Sequence, residues 1–300
     1  MTTPGKILVI GGASLVGRHL VAHLGGARSV ATVHRARTDG GIHFDALTMS
    51  PDALAEAAEG CSHAVLLLAN ARPDDCARDP AAARRLNVEA IAAIVERLHR
   101  WRIMPVFTST EAVFDGRHGS YRETDMVGPL MTYAAQKMEV ERLLQAADGP
   151  WLTLRLGRVV SDNPADDTMF SQWLRQIRGG EDIRCATDHI FSPIHAEDVA
   201  SAAVALMDVG HTGLFHLGGP EGLPRIAMLQ RLIGQWREAG GRYDGTVIPC
   251  RMDDFPTLEP RPRNISLCSE KLILASGVRP RGVGTICRQL VAASLNRDAR

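Results

Sequence analysis

Tyr133 and Lys137 stand four residues apart in Tyr133-Ala134-Ala135-Gln136-Lys137, a stretch of helical periodicity, so a phenol and an ammonium share one helix face. A tyrosine that titrates at about pH 10 is a poor acid or base at neutrality, and a nearby cation favours its ionised form. The pair therefore predicts proton exchange with an oxygen. Lys137 would hold the ribose hydroxyls of a nicotinamide cofactor while Tyr133 delivers a proton to a carbonyl that receives hydride. Tyr-x-x-x-Lys also arises by chance on exposed helices. Here it lies roughly 120 residues after a glycine turn, where the active-site helix of a dinucleotide-binding fold belongs.

Thr110 ends the run Val106-Phe107-Thr108-Ser109-Thr110, and a hydroxyl leaving a strand's carboxyl end can bind and orient the substrate carbonyl. Ser109 is the competing residue, and either could instead cap the strand end. Asn87, polar within the apolar-periodic Leu86-Asn87-Val88-Glu89, has two readings. It bends its helix and positions a water near Lys137, or it faces solvent.

A phosphate site is written at the start of the chain. The first strand runs into Gly11-Gly12-Ala13-Ser14-Leu15-Val16-Gly17 and then a helix. Gly11 permits a tight turn, the helix amino terminus at Leu15 and Val16 offers N–H groups to a pyrophosphate, and Gly17 lets helix and strand pack closely. Ser14, at the middle of this G-x-x-S-x-x-G spacing, is small enough for close approach. The position after the very first strand predicts dinucleotide binding.

Cofactor choice is read where the second strand ends. A carboxylate there would bond the ribose diol of NAD, but the sequence has His34-Arg35-Ala36-Arg37, and a guanidinium suits a 2′-phosphate. NADPH is favoured, with NADH possible if this is only a solvated basic loop. Asp45 is either a contact to the adenine amino group or a turn residue. Ala69 and Asn70, where the strand His63 to Ala69 ends, complete the expected cofactor contacts.

These residues need elements to hold them. Lys6 to Ile10, Ser29 to His34, His63 to Ala69, Met104 to Ser109 and Trp151 to Leu156 read as strands. Leu15 to Gly25, Pro51 to Glu59, Pro80 to Trp101 and Leu130 to Ala147 read as helices. The alternation predicts an α/β fold, a Rossmann-type doubly wound parallel sheet whose ligands settle beyond the carboxyl ends of the strands. The rhythm loosens after Val159, although helices are expected at Ala196 to Met207, Ile226 to Ala239 and Ser269 to Ala275. We expect a dinucleotide-binding domain over 1–158, to which segments at about 190–217 return, and a smaller α/β substrate-binding lobe over 159–300.

Composition narrows the function classes. Thirty-four basic side chains cancel thirty-four acidic ones, so no global field draws the chain to nucleic acid or to an anionic membrane. Any anionic ligand must be held locally. The six cysteines are scattered without metal-ligand spacing, which predicts no metal site and a reduced, cytoplasmic setting. No apolar run approaches the roughly 20 residues that span a bilayer.

Taken together, Gly11 to Gly17, Asn87, Ser109-Thr110-Glu111-Ala112-Val113-Phe114-Asp115-Gly116, Tyr133 to Lys137, Ser192-Pro193-Ile194 and Arg261-Pro262-Arg263-Asn264 resemble the extended short-chain dehydrogenase/reductase family. Within it, the likeness is to the dTDP-4-dehydrorhamnose reductase branch of sugar-nucleotide 4-ketoreductases. That resemblance implies the two-part fold, catalytic roles for Thr110, Tyr133, Lys137 and Asn87, and a nucleotide-sugar substrate touched by Ser109, Thr110, Glu111, Asn163, Ser192 and Arg263. Departures from the branch are Glu111 for an aspartate and Ala112 for a tyrosine. In sugar-nucleotide 4,6-dehydratases two carboxyls at this strand end serve as acid and base for elimination. Ala112 replaces the second, which leaves hydride transfer as the expected chemistry.

The expected activity is NADPH-dependent reduction of a keto group, at C4 of a dTDP-activated 4-keto-6-deoxysugar, with Arg158, Arg175, Arg178, Arg261 and Arg263 as candidates for the diphosphate. Two alternatives accompany it. The regulatory subunit of methionine adenosyltransferase resembles the same branch and acts as a binding partner, and a ketoreductase or epimerase acting on a different metabolite would also fit. The helices Pro80 to Trp101 and Leu130 to Ala147 could supply a homodimer contact.

Overall fold

The computed structural model describes residues 5–34 and 41–298. Its main sheet holds seven parallel strands. In chain order the first six are β1 (Lys6–Ile10), β2 (Ser29–Val33), β3 (Ile42–His43), β4 (Cys61–Leu66), β5 (Met104–Thr110) and β6 (Leu152–Leu156). Across the sheet the order is Gly213–Leu217, β6, β5, β4, β1, β2, β3. The order reverses at β1, next to β4, and ligands of doubly wound sheets bind outside the carboxyl ends at such a switch.

Period-two alternation explains how each strand is buried on both faces. Ile7 and Val9 of β1 join Val65 and Val106 in one core layer, beneath Leu20, Ala200 and Leu206 from helices. Leu8 and Ile10 point the other way, with Leu66 and Phe107, and meet Ile91, Ile94, Leu98 and Leu144. Successive strand residues thus feed opposite layers, and neither face is left for solvent.

A third cluster packs Phe114, Phe170, Trp173 and Leu174 against Met228, Leu232 and Leu290. It is built from the helices Met169–Gly179, Arg225–Glu238 and Val283–Asp298 and from short strand pairs such as Ile183–Ala186 with Val247–Cys250. Gly213–Leu217, although late in the sequence, pairs with β6 at the sheet edge.

Where one helix was expected over Pro80 to Trp101, the run divides into α-helix Pro80–Arg84, a π-helical segment Arg85–Ala90 and α-helix Ile91–Arg100. Asn87 lies in the π segment and is buried. The wider turn brings its amide inward, where Oδ1 accepts from Asn70 N at 2.8 Å and Nδ2 donates to Gln136 Oε1 at 2.8 Å and to Asn70 O at 3.2 Å. No helix among the described residues is long and apolar enough to cross a membrane.

Candidate active site

A cleft of about 480 Å³ opens across the carboxyl ends of β1, β4, β5 and β6. Ser14, Leu15 and Val16 form one end of it, at the glycine turn. Gly11 has φ +97°, a left-handed conformation that L side chains rarely adopt, and a Cβ on Gly17 would lie 2.5 Å from Gly11 O. The turn cannot be built otherwise. Ser14 caps the helix Leu15–Leu24 by accepting from Gly17 N at 3.1 Å, which leaves the first-turn amides of Leu15 and Val16 at the cleft. This cradle fits a pyrophosphate, and Ala69 lines the wall beyond it.

The helix Thr132–Ala146 carries Tyr133 and Lys137 on its cleft face. Lys137 is buried; its Nζ donates to Thr108 O at 2.9 Å and lies 4.7 Å from the centre of the Phe107 ring. Burial draws the ammonium down to about 8, with the Glu141 carboxylate opposing. Tyr133 behaves otherwise than the sequence suggests. Its phenol is pushed up to about 12 because burial outweighs the opposing pull of the Arg158 guanidinium and of the Thr110 hydroxyl. Lys137 is committed to a backbone carbonyl instead. At neutral pH the phenol therefore holds its proton, the state a donor to a reduced carbonyl requires.

Beneath the pair lies a buried polar network. Arg155 on β6 meets Glu141 through both Nε at 3.0 Å and Nη2 at 2.6 Å, while Ser109 Oγ donates to the same carboxylate. Arg155 Nη1 approaches His216 Nε2 at 3.3 Å, and His216 Nδ1 meets Tyr121 O at 3.0 Å. Ser109 lines the cleft, but its hydroxyl is spent on Glu141.

The start of the Tyr133 helix is held from far along the chain. Met131 at the N-cap offers the helix no side-chain cap, and Glu259 supplies it, accepting from Thr132 N at 3.0 Å and from Thr132 Oγ1 at 2.6 Å. Arg261, two residues on, lines the cleft and pairs with Asp74 at 2.6 Å. Sequence reasoning missed Glu259, Glu141 and Arg225; only Glu141, one helical turn from Lys137, carried a local signal.

The far wall is cationic. Arg158, His189 and Arg261 line it. His189 is held neutral, drawn down to about 3 first by burial and then by Arg158, Arg225, Arg261 and Arg263. Among the described residues its Nδ1 and the Nε of Arg225 are buried without hydrogen-bond partners.

Other expected contacts fall elsewhere. Asn87 does not face solvent: it interrupts its helix in the π segment, and its amide is used by Asn70 and Gln136. Asn70 is likewise committed to Asn87 and, through Oδ1, to Arg72 N at 3.2 Å. Asp45 accepts from Leu47 N at 2.9 Å, and exposed His34 lies 3.8 Å from it. Arg35 lies outside the described residues. Asn163 sits on an exposed turn, where Oδ1 accepts from Ala165 N. Ser192 is buried under Leu267 N, and Arg263 is taken up by Asp188 and Asp253. The cleft instead presents Arg158 and Arg261. No group of three or more His, Cys, Asp or Glu among the described residues could hold a metal ion.

A parallel sheet that reverses at its first strand, a glycine turn at the switch and a Tyr-x-x-x-Lys helix on the same cleft define a Rossmann-type α/β protein of the short-chain dehydrogenase/reductase type. The chain belongs to the RmlD substrate binding domain family, whose sequence profile matches residues 5–294. It is 26% identical over 282 residues to a dTDP-4-dehydrorhamnose reductase of Burkholderia thailandensis, covering 89% of this chain and 91% of that one. It is also 30% identical over 220 residues to methionine adenosyltransferase 2 subunit beta of Danio rerio, covering 70% of this chain and 66% of that one. In fold it matches the dTDP-4-dehydrorhamnose reductase of Bacillus anthracis in complex with NADP, with a TM-score of 0.83 at 14% identity over 97% of this chain and 99% of that one.

Proposed function

We propose that the protein is an NADPH-dependent reductase of nucleotide-activated sugars, acting at C4 of a dTDP-4-keto-6-deoxysugar. The observation that carries this reading is that Tyr133, Lys137 and Thr110 meet the glycine-turn amides in one cleft. The similarity to the Burkholderia thailandensis reductase, which extends over nearly the whole of both chains, supports the substrate class.

A bound nicotinamide dinucleotide supplies the hydride. The amides of Leu15 and Val16 would hold its pyrophosphate at the helix terminus, and Lys137 would hold its ribose hydroxyls. Thr110 orients the keto oxygen, and Tyr133 gives its proton to that oxygen as it becomes an alcohol. Arg158 on the far wall matches the charge of a nucleoside diphosphate, which a chain of zero net charge must neutralise locally, while Arg261 beside it is already paired with Asp74. His34 and Arg35 remain the candidates for the 2′-phosphate.

NADPH and NADH consumption measured against dTDP-linked 4-keto sugars and simple ketones tests cofactor and substrate together. Turnover confined to the nucleotide-linked ketones with NADPH is expected; turnover of simple ketones alone would overturn the substrate class. A regulatory role is the second reading, favoured by the 30% identity to methionine adenosyltransferase 2 subunit beta. Copurification with a larger synthetase, together with no NADPH oxidation on any keto sugar, would establish it.

A further inference from the structure

Glu141 stands one helical turn beyond Lys137, so both side chains leave the helix Thr132–Ala146 on one face. Each meets the end of β5. Lys137 Nζ donates to Thr108 O at 2.9 Å, and Glu141 Oε1 accepts from the hydroxyl of Ser109, the next residue. On its other side Arg155 of β6 grips the carboxylate, with Nε 3.0 Å from Oε1 and Nη2 2.6 Å from Oε2. Lys137, Glu141 and Arg155 are each exposed by 4% or less, so water screens none of their charges.

A buried ammonium gives up its charge unless something in the core compensates it. The groups that face Lys137 are Glu141 from its own helix, the Thr108 carbonyl and the Phe107 ring from β5, and the Cys76 thiol from the helix Pro73–Arg78. Burial pushes the Cys76 thiol up, which leaves it neutral at physiological pH. Of these groups Glu141 alone carries a charge. The ammonium therefore depends on a residue that does not itself line the cleft.

We infer that Glu141 is a positioning residue: its carboxylate, fixed by Arg155 and Ser109, keeps the Lys137 ammonium charged and so able to hold the cofactor ribose. The inference rests on the role given to Lys137 in the reading above, but the state of the ammonium can be measured without turnover. The chain has three lysines, Lys6, Lys137 and Lys271, so carbon-13 at lysine Cε gives three NMR signals, and Lys137→Met identifies the one at the site.

On the full chain the Lys137 signal should titrate at about 8. In Glu141→Gln its midpoint should fall by about one pH unit or more, because the carboxylate that favours the charged form is gone. The alkaline limb of NADPH oxidation should fall with it. Where Glu141→Gln does not fold, the double variant Glu141→Leu with Arg155→Leu, which strands no charge, should show the same fall. A Glu141 that only braces the core would lower stability and leave the midpoint in place, so an unmoved midpoint overturns the inference. So does a midpoint that falls while the limb of turnover stays where it was. Wild type without turnover on any keto sugar overturns the proposed function instead, and the midpoint still decides whether Glu141 governs the charge on Lys137.

Discussion

Lys137 Nζ donates to the carbonyl of Thr108 at 2.9 Å, two residues before Thr110, so the ammonium is tied to the strand end that carries the Thr110 hydroxyl. Because burial draws this ammonium down to about 8, it loses its charge as the medium turns mildly alkaline. Turnover should decline as pH rises through about 8, and the same limb should persist in Glu111→Gln, which removes the other group titrating there. Lys137→Met should lower kcat by about 100-fold or more at neutral pH, read by NADPH oxidation.

Glu141 and Arg155 form an ion pair exposed by only 3% and 5% of their side chains. Removing one partner strands the other charge in the core. Glu141→Leu should cost about 3–5 kcal/mol in urea unfolding, and adding Arg155→Leu should restore much of that loss. Equal and additive losses in the two single variants would deny the coupling.

His216 and His189 are both drawn down to about 3, so neither binds a proton in the folded protein under mild acid, whereas the unfolded chain protonates them near their ordinary value of 6.5. The folded values are depressed, and the stability each contributes is therefore complete above about 6.5 and drains away as pH falls toward 3. Each would add about 1.4 kcal/mol per pH unit within that window. Glu111, whose folded value is raised, acts in the opposite sense above 4.5. Thermal unfolding followed from neutral to about pH 5 should show a shallower decline in His216→Asn than in wild type.

Glu259 caps the helix of Tyr133 across 127 residues of sequence. Glu259→Ala should cost about 1 kcal/mol and lower kcat as the first turn frays, and Glu259→Gln, which keeps an accepting oxygen, should recover most of both. Urea unfolding and steady-state kinetics on the same preparations check this.

What the sequence revealed and what it hid follow from the range of the interactions. β1 and the glycine turn are set by local rules, the alternation of Ile7 to Ile10 and the steric demand at Gly17, and the strand expected over Lys6 to Ile10 forms with those bounds. Tyr133 and Lys137 were legible because four residues bring them to one helix face. Asn87 was not, since a π segment turned it inward toward Asn70 and Gln136, partners that no periodicity marks. The rise at Tyr133 was hidden for a related reason. Spacing revealed Lys137 on the same helix face but neither the burial that outweighs the Arg158 guanidinium at Tyr133 nor the Thr108 carbonyl that occupies the ammonium.

The proposed chemistry centres on the proton of Tyr133. Its most direct test is NADPH oxidation with a dTDP-4-keto-6-deoxysugar by wild type and Tyr133→Phe, with NADPH affinity measured alongside. Wild type should turn over, and Tyr133→Phe should lose about 10²–10⁴-fold in kcat while its Kd for NADPH stays within about twofold. Equal turnover by the two proteins would contradict the assignment of Tyr133 as the proton donor.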